Sequence, residues 1–277
     1  MSAAQILPLA QPVATVATVT PTDAKRWLDA NTHNRSLRPM VVAAYARDMA
    51  AGRWQFNGEA IKFATDGTLL DGQHRLHAVV KSGATITVLI VNGLPAETQD
   101  VMDSGAKRQA SDALRLAGVK NSTTTAAIAR LALNIDISGG KKITNGRAFT
   151  HPEILDFLDS HPGVIDAAVA AAHYRTKIDM QASVLGYAWW RLGNVSAKAT
   201  GEFFETIANS QTSGKGDPRA ALISRLNSAR RNNERIAQQA QVSLLFRAWN
   251  AWRKGQQVER FQIESRTGEP APIPVPR

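Results

Sequence analysis

Two spacings of apolar residues share the first part of this chain, and beyond residue 118 only the helical one continues. Residues 16–20 are short and β-branched, as an edge strand would be. Thr22 or Asp23 can cap a helix running through Trp27 and Leu28 to Ala30, and residues 31–35 carry turn chemistry. Pro39 opens a second helix, with Val41, Val42, Tyr45 and Met49 on one face and Gly52 at its end. Residues 60–65 predict a strand, Asp66-Gly67 a tight turn, and 68–70 the partner strand of a hairpin. Asp71-Gly72 leads into a helix with Leu76, Val79 and Val80 inward, closed by Gly83. The β-branched run 85–91 predicts a further strand, and 95–102 and 111–117 predict helices.

After Gly118 no strand is expected, and helices follow one another. Residues 121–137 bury Ile128, Leu131, Ala132 and Ile135. Thr150 to Glu153 reads as a capping box. His161-Pro162 starts another helix, and 180–192 and 199–209 add two more. Asp217-Pro218 is a cap with proline at the first helical position, opening 219–230, and 232–254 is the longest helix. Residues 264–277 hold four prolines and no apolar period, so a tail is expected. The expected organisation is a disordered leader (1–14), an α+β domain (15–118), a basic helical domain (119–263) and a Pro-rich tail (264–277), with a boundary near 118–122.

Composition narrows the function classes. The 277 residues include no cysteine, which excludes disulfides, thiolate metal sites and cysteine nucleophiles, and fits a cytoplasmic protein. No segment approaches the ~20 apolar residues needed to cross a bilayer, so no membrane partner is expected. The formal charge is +10, and eight of those units arise after residue 118. Residues 215–254 alone carry nine basic and two acidic side chains. Such a patch attracts polyanions because binding releases condensed counterions, which makes DNA the expected partner. A solvated helix face is the bland alternative.

Asp71-Gly72-Gln73-His74-Arg75 carries the sharpest chemistry. It stands where a strand hands over to a helix, so helix-start amides point where two donor side chains also reach. Arg75 offers a bidentate fork, and His74 a donor able to shuttle a proton. Gly72 would let a ligand approach the backbone, and Asp71 would hold a hydroxyl or a metal-bound water. Spacing alone leaves another reading open, in which Asp71 caps the helix while His74 and Arg75 are solvated on an exposed first turn.

Gly-x-His-Arg-Leu-x-Ala at such a junction, preceded by a helix ending in Met49-Ala50-Ala51-Gly52, resembles the ParB/sulfiredoxin superfamily. The box looks most like that of phage and actinobacterial ParB-like proteins, and is similar to the Asp-Gly-His-His-Arg box of ADP-dependent free serine kinases. The resemblance covers residues 15–118. It implies an N-terminal domain with a small mixed sheet, followed here by the all-α C-terminal domain that the helical pattern predicts, and a Gly-x-x-Arg box binding the phosphates of CTP, ATP or ADP, with Mg2+ as an optional companion. Gly72, Gln73, His74 and Arg75 are then the binding residues. Gln73 stands where sulfiredoxins need cysteine, which excludes that activity. The later partition-CTPase motif is replaced by Met102-Asp103-Ser104-Gly105-Ala106-Lys107-Arg108, where Ser104 can expose turn amides and Lys107 and Arg108 can clamp a second phosphate. Arg35 is a third candidate clamp. Besides Asp71 and His74, Glu59 is a candidate catalytic group.

For nucleic acid the candidates are Lys141, Lys142 and Arg147 in a Gly-led loop, and Arg225, Arg230, Arg231 and Arg235 around a helix junction. The pairs Trp249/Trp252 and Trp189/Trp190 read as core. The expected function is a DNA-associated, nucleotide- or phosphate-binding ParB-like protein of phage or mobile-element type, with a homodimer allowed. The rivals are a phosphoryl-transfer enzyme (a kinase of a small molecule or modified base, or a nuclease) and a non-catalytic interaction module.

Overall fold

The computed structural model describes residues 11–29, 31, 34, 36–101, 110–144, 147–262 and 272–277. The chain forms an α+β unit and a helical unit. The first comprises Met1–Lys107 with Ala148–Pro152, and the second Arg108–Arg147 with Glu153–Arg277.

The first unit holds β1 (Val13–Val19), α1 (Pro21–Leu28), α2 (Pro39–Ala50), β2 (Ala60–Ala64), β3 (Leu69–Asp71), α3 (Gln73–Ser82), β4 (Ile86–Leu94) and a 3-10 turn, Ala96–Val101. The sheet order is β1-β4-β2-β3. β1 runs antiparallel to β4, β2 parallel to β4, and β3 antiparallel to β2, so the sheet is small and mixed as expected. β1 is indeed an edge strand, but it begins at Val13, inside the stretch expected as a leader. Residues 1–10 lie outside the described part.

Thr20 caps α1, not Thr22 or Asp23. Its hydroxyl accepts from the Asp23 amide, and the Asp23 carboxylate reaches back to the Thr20 amide, closing a capping box. The core gathers Val19, Ile61, Phe63, Leu69, Ile86, Val88 and Ile90 of the sheet with Val42, Met49, Leu76 and Val79 of the helices. Val80, expected inward, is exposed; Ala78 takes an inward position instead. Residues 148–152 belong here because they dock on α2: Arg47 donates to the Ala148 carbonyl at 2.7 Å, and Thr150 to the buried Asp48 at 3.0 Å.

The second unit holds α4 (Ala110–Leu116), α5 (Ser122–Asp136), α6 (His151–Ser160), α7 (Gly163–Tyr174), α8 (Ala182–Gly193), α9 (Ala197–Asn209), α10 (Pro218–Arg231) and α11 (Gln238–Arg253). The expected boundary near 118–122 is corrected. α4 packs on α5, so this unit starts ahead of α4. No strand is found among its described residues. Asp217 caps α10 ahead of Pro218, as expected. α11 starts at Gln238 rather than near 232, because Asn233 takes a left-handed φ of 49° that ends the preceding turn. Trp249 is fully buried, with Phe203 edge-on at 5.5 Å. α8 approaches α5 and α7 closely at Gly186, where an added Cβ would meet Ile128 Cδ1 at 2.2 Å.

The tail expectation also fails in part. Residues 263–271 lie outside the described part, but 272–277 are held. Ser243 donates to the Pro272 carbonyl, Ile273 is buried and donates its amide to the Lys141 carbonyl, and Trp249 Nε1 donates to the Arg277 carbonyl. No described helix is long and apolar enough to cross a membrane.

Candidate functional site

The box at residues 71–75 sits where β3 passes into α3, and its strand–helix setting matches the sequence pattern. Its details do not. Gly72 is the N-cap, with φ of 103°, and no side chain caps the helix. Asp71 therefore caps nothing: its Oδ1 takes the adjacent Gly72 amide at 2.7 Å and its Oδ2 faces Lys62 Nζ at 3.5 Å. A Cβ on Gly72 would come 3.0 Å from Ile61 Cγ1 and 3.3 Å from Ile61 Cα. The glycine thus admits the neighbouring strand β2, and its positive φ is one that side-chain-bearing residues rarely adopt.

The exposed-first-turn reading is overturned as well. Gln73 and His74 are 6% and 9% exposed, and the Arg75 side chain 12%. Gln73 Oε1 accepts from Asn31 Nδ2 at 3.2 Å, and Asn34 Nδ2 donates to the Leu69 carbonyl at 2.6 Å. His74 Nε2 accepts the Arg38 amide at 3.0 Å, just ahead of α2. That acceptor role requires an unprotonated Nε2 with the hydrogen on Nδ1. So Gln73 and His74, expected as phosphate donors, clasp the loop between α1 and α2 onto the box. Arg35 belongs to that loop but lies outside the described residues.

Arg75 is different. Its Nη2 lies 3.7 Å from Asp71 Oδ2 and 3.8 Å from Glu59 Oε2, distances of ion pairing rather than direct hydrogen bonding. Its Nη1 is buried without a hydrogen-bond partner among the described residues. Glu59 is 69% exposed and reaches in from just ahead of β2. Two carboxylates and two cations, Asp71 and Glu59 with Lys62 and Arg75, therefore meet at one spot. Lys62 was missed from sequence. It is the sole polar residue of β2, and the Asp66-Gly67 hairpin sets it opposite Asp71, so the register held the signal.

Ser104, Lys107 and Arg108 lie outside the described residues. In the helical unit, Ser138 Oγ accepts the amides of Lys141 and Lys142 at 3.1 and 2.8 Å, leaving both lysines exposed on an ordered turn. Arg147 pairs with Glu153 at 3.0 Å, and Arg225 with Glu234. The four arginines of the α10–α11 junction do not share one face. Arg230 and Arg235 rim a shallow depression of about 500 Å³ floored by Met180, Leu226 and Ile236. Arg231 rims another, of about 290 Å³, with Ser210, Thr212 and Asn227. The helical turn explains the split, since residues 225, 230 and 231 project in three directions around α10.

No family model and no curated protein matches the chain. Among solved structures it is similar to a Pnob8-like ParB-N domain at 13% identity, over 77% of this chain and 90% of that one, with a TM-score of 0.20. A likeness of that size carries no argument about site or function, and the fold class stands on the strands and helices described above.

Proposed function

We propose that this chain is a DNA-associated, ParB-like protein of phage or mobile-element type that binds a nucleotide (CTP, ATP or ADP) by its phosphates at residues 71–75. The observation that carries this reading is Arg75: a guanidinium largely withdrawn from water at the start of a helix, with Nη1 lacking an acceptor among the described residues. An unsatisfied buried donor costs about 1–3 kcal/mol, and more when it is charged. A phosphate oxygen would remove that cost and gain from the uncapped helix start. The box resemblance and the mixed sheet support the same reading. The exposed Arg230, Arg231 and Arg235, together with Lys141 and Lys142, supply the charge for a DNA backbone.

A second reading, phosphoryl transfer, is favoured by one specific observation. Asp71 and Glu59 both face Arg75 Nη2, on the same guanidinium whose Nη1 a phosphate would approach. They are the oxygen donors that would take Mg2+, which typically holds one or two carboxylates and completes its shell with substrate phosphates. Either carboxylate would also serve as the base toward an attacking hydroxyl.

Thermal shift of the whole chain against CTP, ATP, ADP and GTP, with and without Mg2+, tests the proposal. One nucleotide should raise the melting temperature of the wild type and not that of Arg75→Met. No shift with any of them removes the nucleotide reading and leaves an interaction module. Release or transfer of phosphate by the stabilised complex decides for the enzyme.

A further inference from the structure

The edge of the sheet carries a feature that the phosphate box does not use. β1 reads Val13-Ala14-Thr15-Val16-Ala17-Thr18-Val19 and pairs with β4 through seven consecutive residues without a bulge. Its other edge has no strand partner among the described residues. Val13 is 61% and Val16 56% exposed, and Ala14, Thr15 and Thr18 are exposed too. Natural edge strands are blunted by lysines, bulges or internal prolines. β1 has none of these, and no charged residue stands between Gln11 and Thr22. Only Pro12 and Pro21 bracket it, which limits any further pairing to the strand itself.

The order of side chains says what would pair there. Turned end for end about Val16, the strand meets itself in matched sizes. Val16 faces Val16, Val13 faces Val19, Ala14 faces Thr18, and Thr15 faces Ala17. Each facing pair is valine on valine or alanine on threonine, and each falls on a common face of the sheet because strand side chains alternate with a period of two. Cross-strand pairs of β-branched residues stabilise an antiparallel ladder, and a two-fold axis requires a self-complementary surface of this sort. A foreign strand would need no such symmetry. We propose that β1 is the contact strand of a symmetric homodimer, in which two copies pair antiparallel, edge to edge, about Val16.

The 277-residue chain tests this directly, because it contains no cysteine and single cysteines report cleanly. Cα atoms of facing antiparallel residues lie about 4.5–5.5 Å apart, within disulfide reach. Under mild oxidation Val16→Cys should link to itself, and Ala14→Cys mixed with Thr18→Cys should form the mixed dimer. Thr18→Cys alone should stay unlinked, since its own copy is displaced from it along the ladder. Light scattering should find wild type as a dimer over a roughly hundredfold dilution and Val16→Lys as a monomer, with an equimolar mixture of Val16→Lys and Val16→Glu dimeric again. Val16 is exposed, so these variants keep the monomer fold, as circular dichroism would verify. A monomeric wild type overturns the proposal and would fit the edge being covered within one chain. So does a dimer that Val16→Lys leaves intact, or cross-linking that ignores the register.

Discussion

The backbone amide of Arg38 donates to His74 Nε2 at 3.0 Å, joining the residue ahead of α2 to the second residue of α3. Removing the acceptor orphans a part-buried donor. His74→Phe, which keeps the ring volume, should lower stability by about 1–3 kcal/mol in urea unfolding. A midpoint equal to wild type would mean that the clasp on the 31–38 loop contributes nothing.

Arg75 separates binding from folding differently. Arg75→Met keeps the packing of the side-chain stem but removes every donor, and should weaken nucleotide binding by about 1.5–3 kcal/mol by calorimetry. Its fold should persist, since the charge it leaves behind sits on the exposed Glu59 and on Asp71, which Lys62 still neutralises. Equal affinity in the variant would sink the phosphate assignment.

Burial holds the His77 imidazole below its ordinary pKa of 6.5. The unfolded chain then binds more protons than the folded one below that pH. Stability should therefore rise with pH through this window and fall as pH drops below about 6.5 toward the lowered value. His77→Gln should flatten that part of the curve of melting temperature against pH. A parallel curve for the variant would place the acid sensitivity elsewhere.

Two glycines in the helical unit should respond in opposite directions. At Gly186 an added methyl collides with the fully buried Ile128 and comes 3.2 Å from the Ala167 carbonyl, so Gly186→Ala should cost about 1–3 kcal/mol. At Gly201, inside α9, nothing lies within 4 Å, so Gly201→Ala should gain about 0.5–1 kcal/mol from helix propensity. Chemical denaturation of both variants reads the contrast, and loss at both positions would contradict this packing.

The salt dependence of DNA binding should follow exposure rather than residue type. Arg230→Ala with Arg235→Ala, which rim one depression, should lower the slope against salt by roughly two, one for each phosphate that is no longer neutralised. Arg225→Ala should leave the slope alone and loosen the α10–α11 junction, because Arg225 already pairs with Glu234. Titrations with short duplex DNA at several salt concentrations compare the two. An unchanged slope in the double variant would remove these arginines from the interface.

Local chemistry decided most of the element list: the Asp66-Gly67 hairpin, the helix opened by Pro39, the β-branched run of β4 and the cap at Asp217 were all legible. Turn dipeptides, caps and apolar periods act over a few residues, so the sequence carries them openly. The strand–helix setting of the box was legible for the same reason, and so was the place of Arg75 in it. The roles within the box were not, because they depend on partners far along the chain. Asn31 claims Gln73 from 42 residues away, Arg38 claims His74 from 36 away, and Ile61 fills the space that Gly72 leaves open. Burial set Gln73 and His74 to hold the loop ahead of α2 and left Arg75 with an unmet donor among the described residues. The end of the chain shows the same division. Pro-rich composition predicts a tail, yet residues 272–277 supply the carbonyls that Trp249 and Asn250 need, and only the folded α11 surface offers those donors.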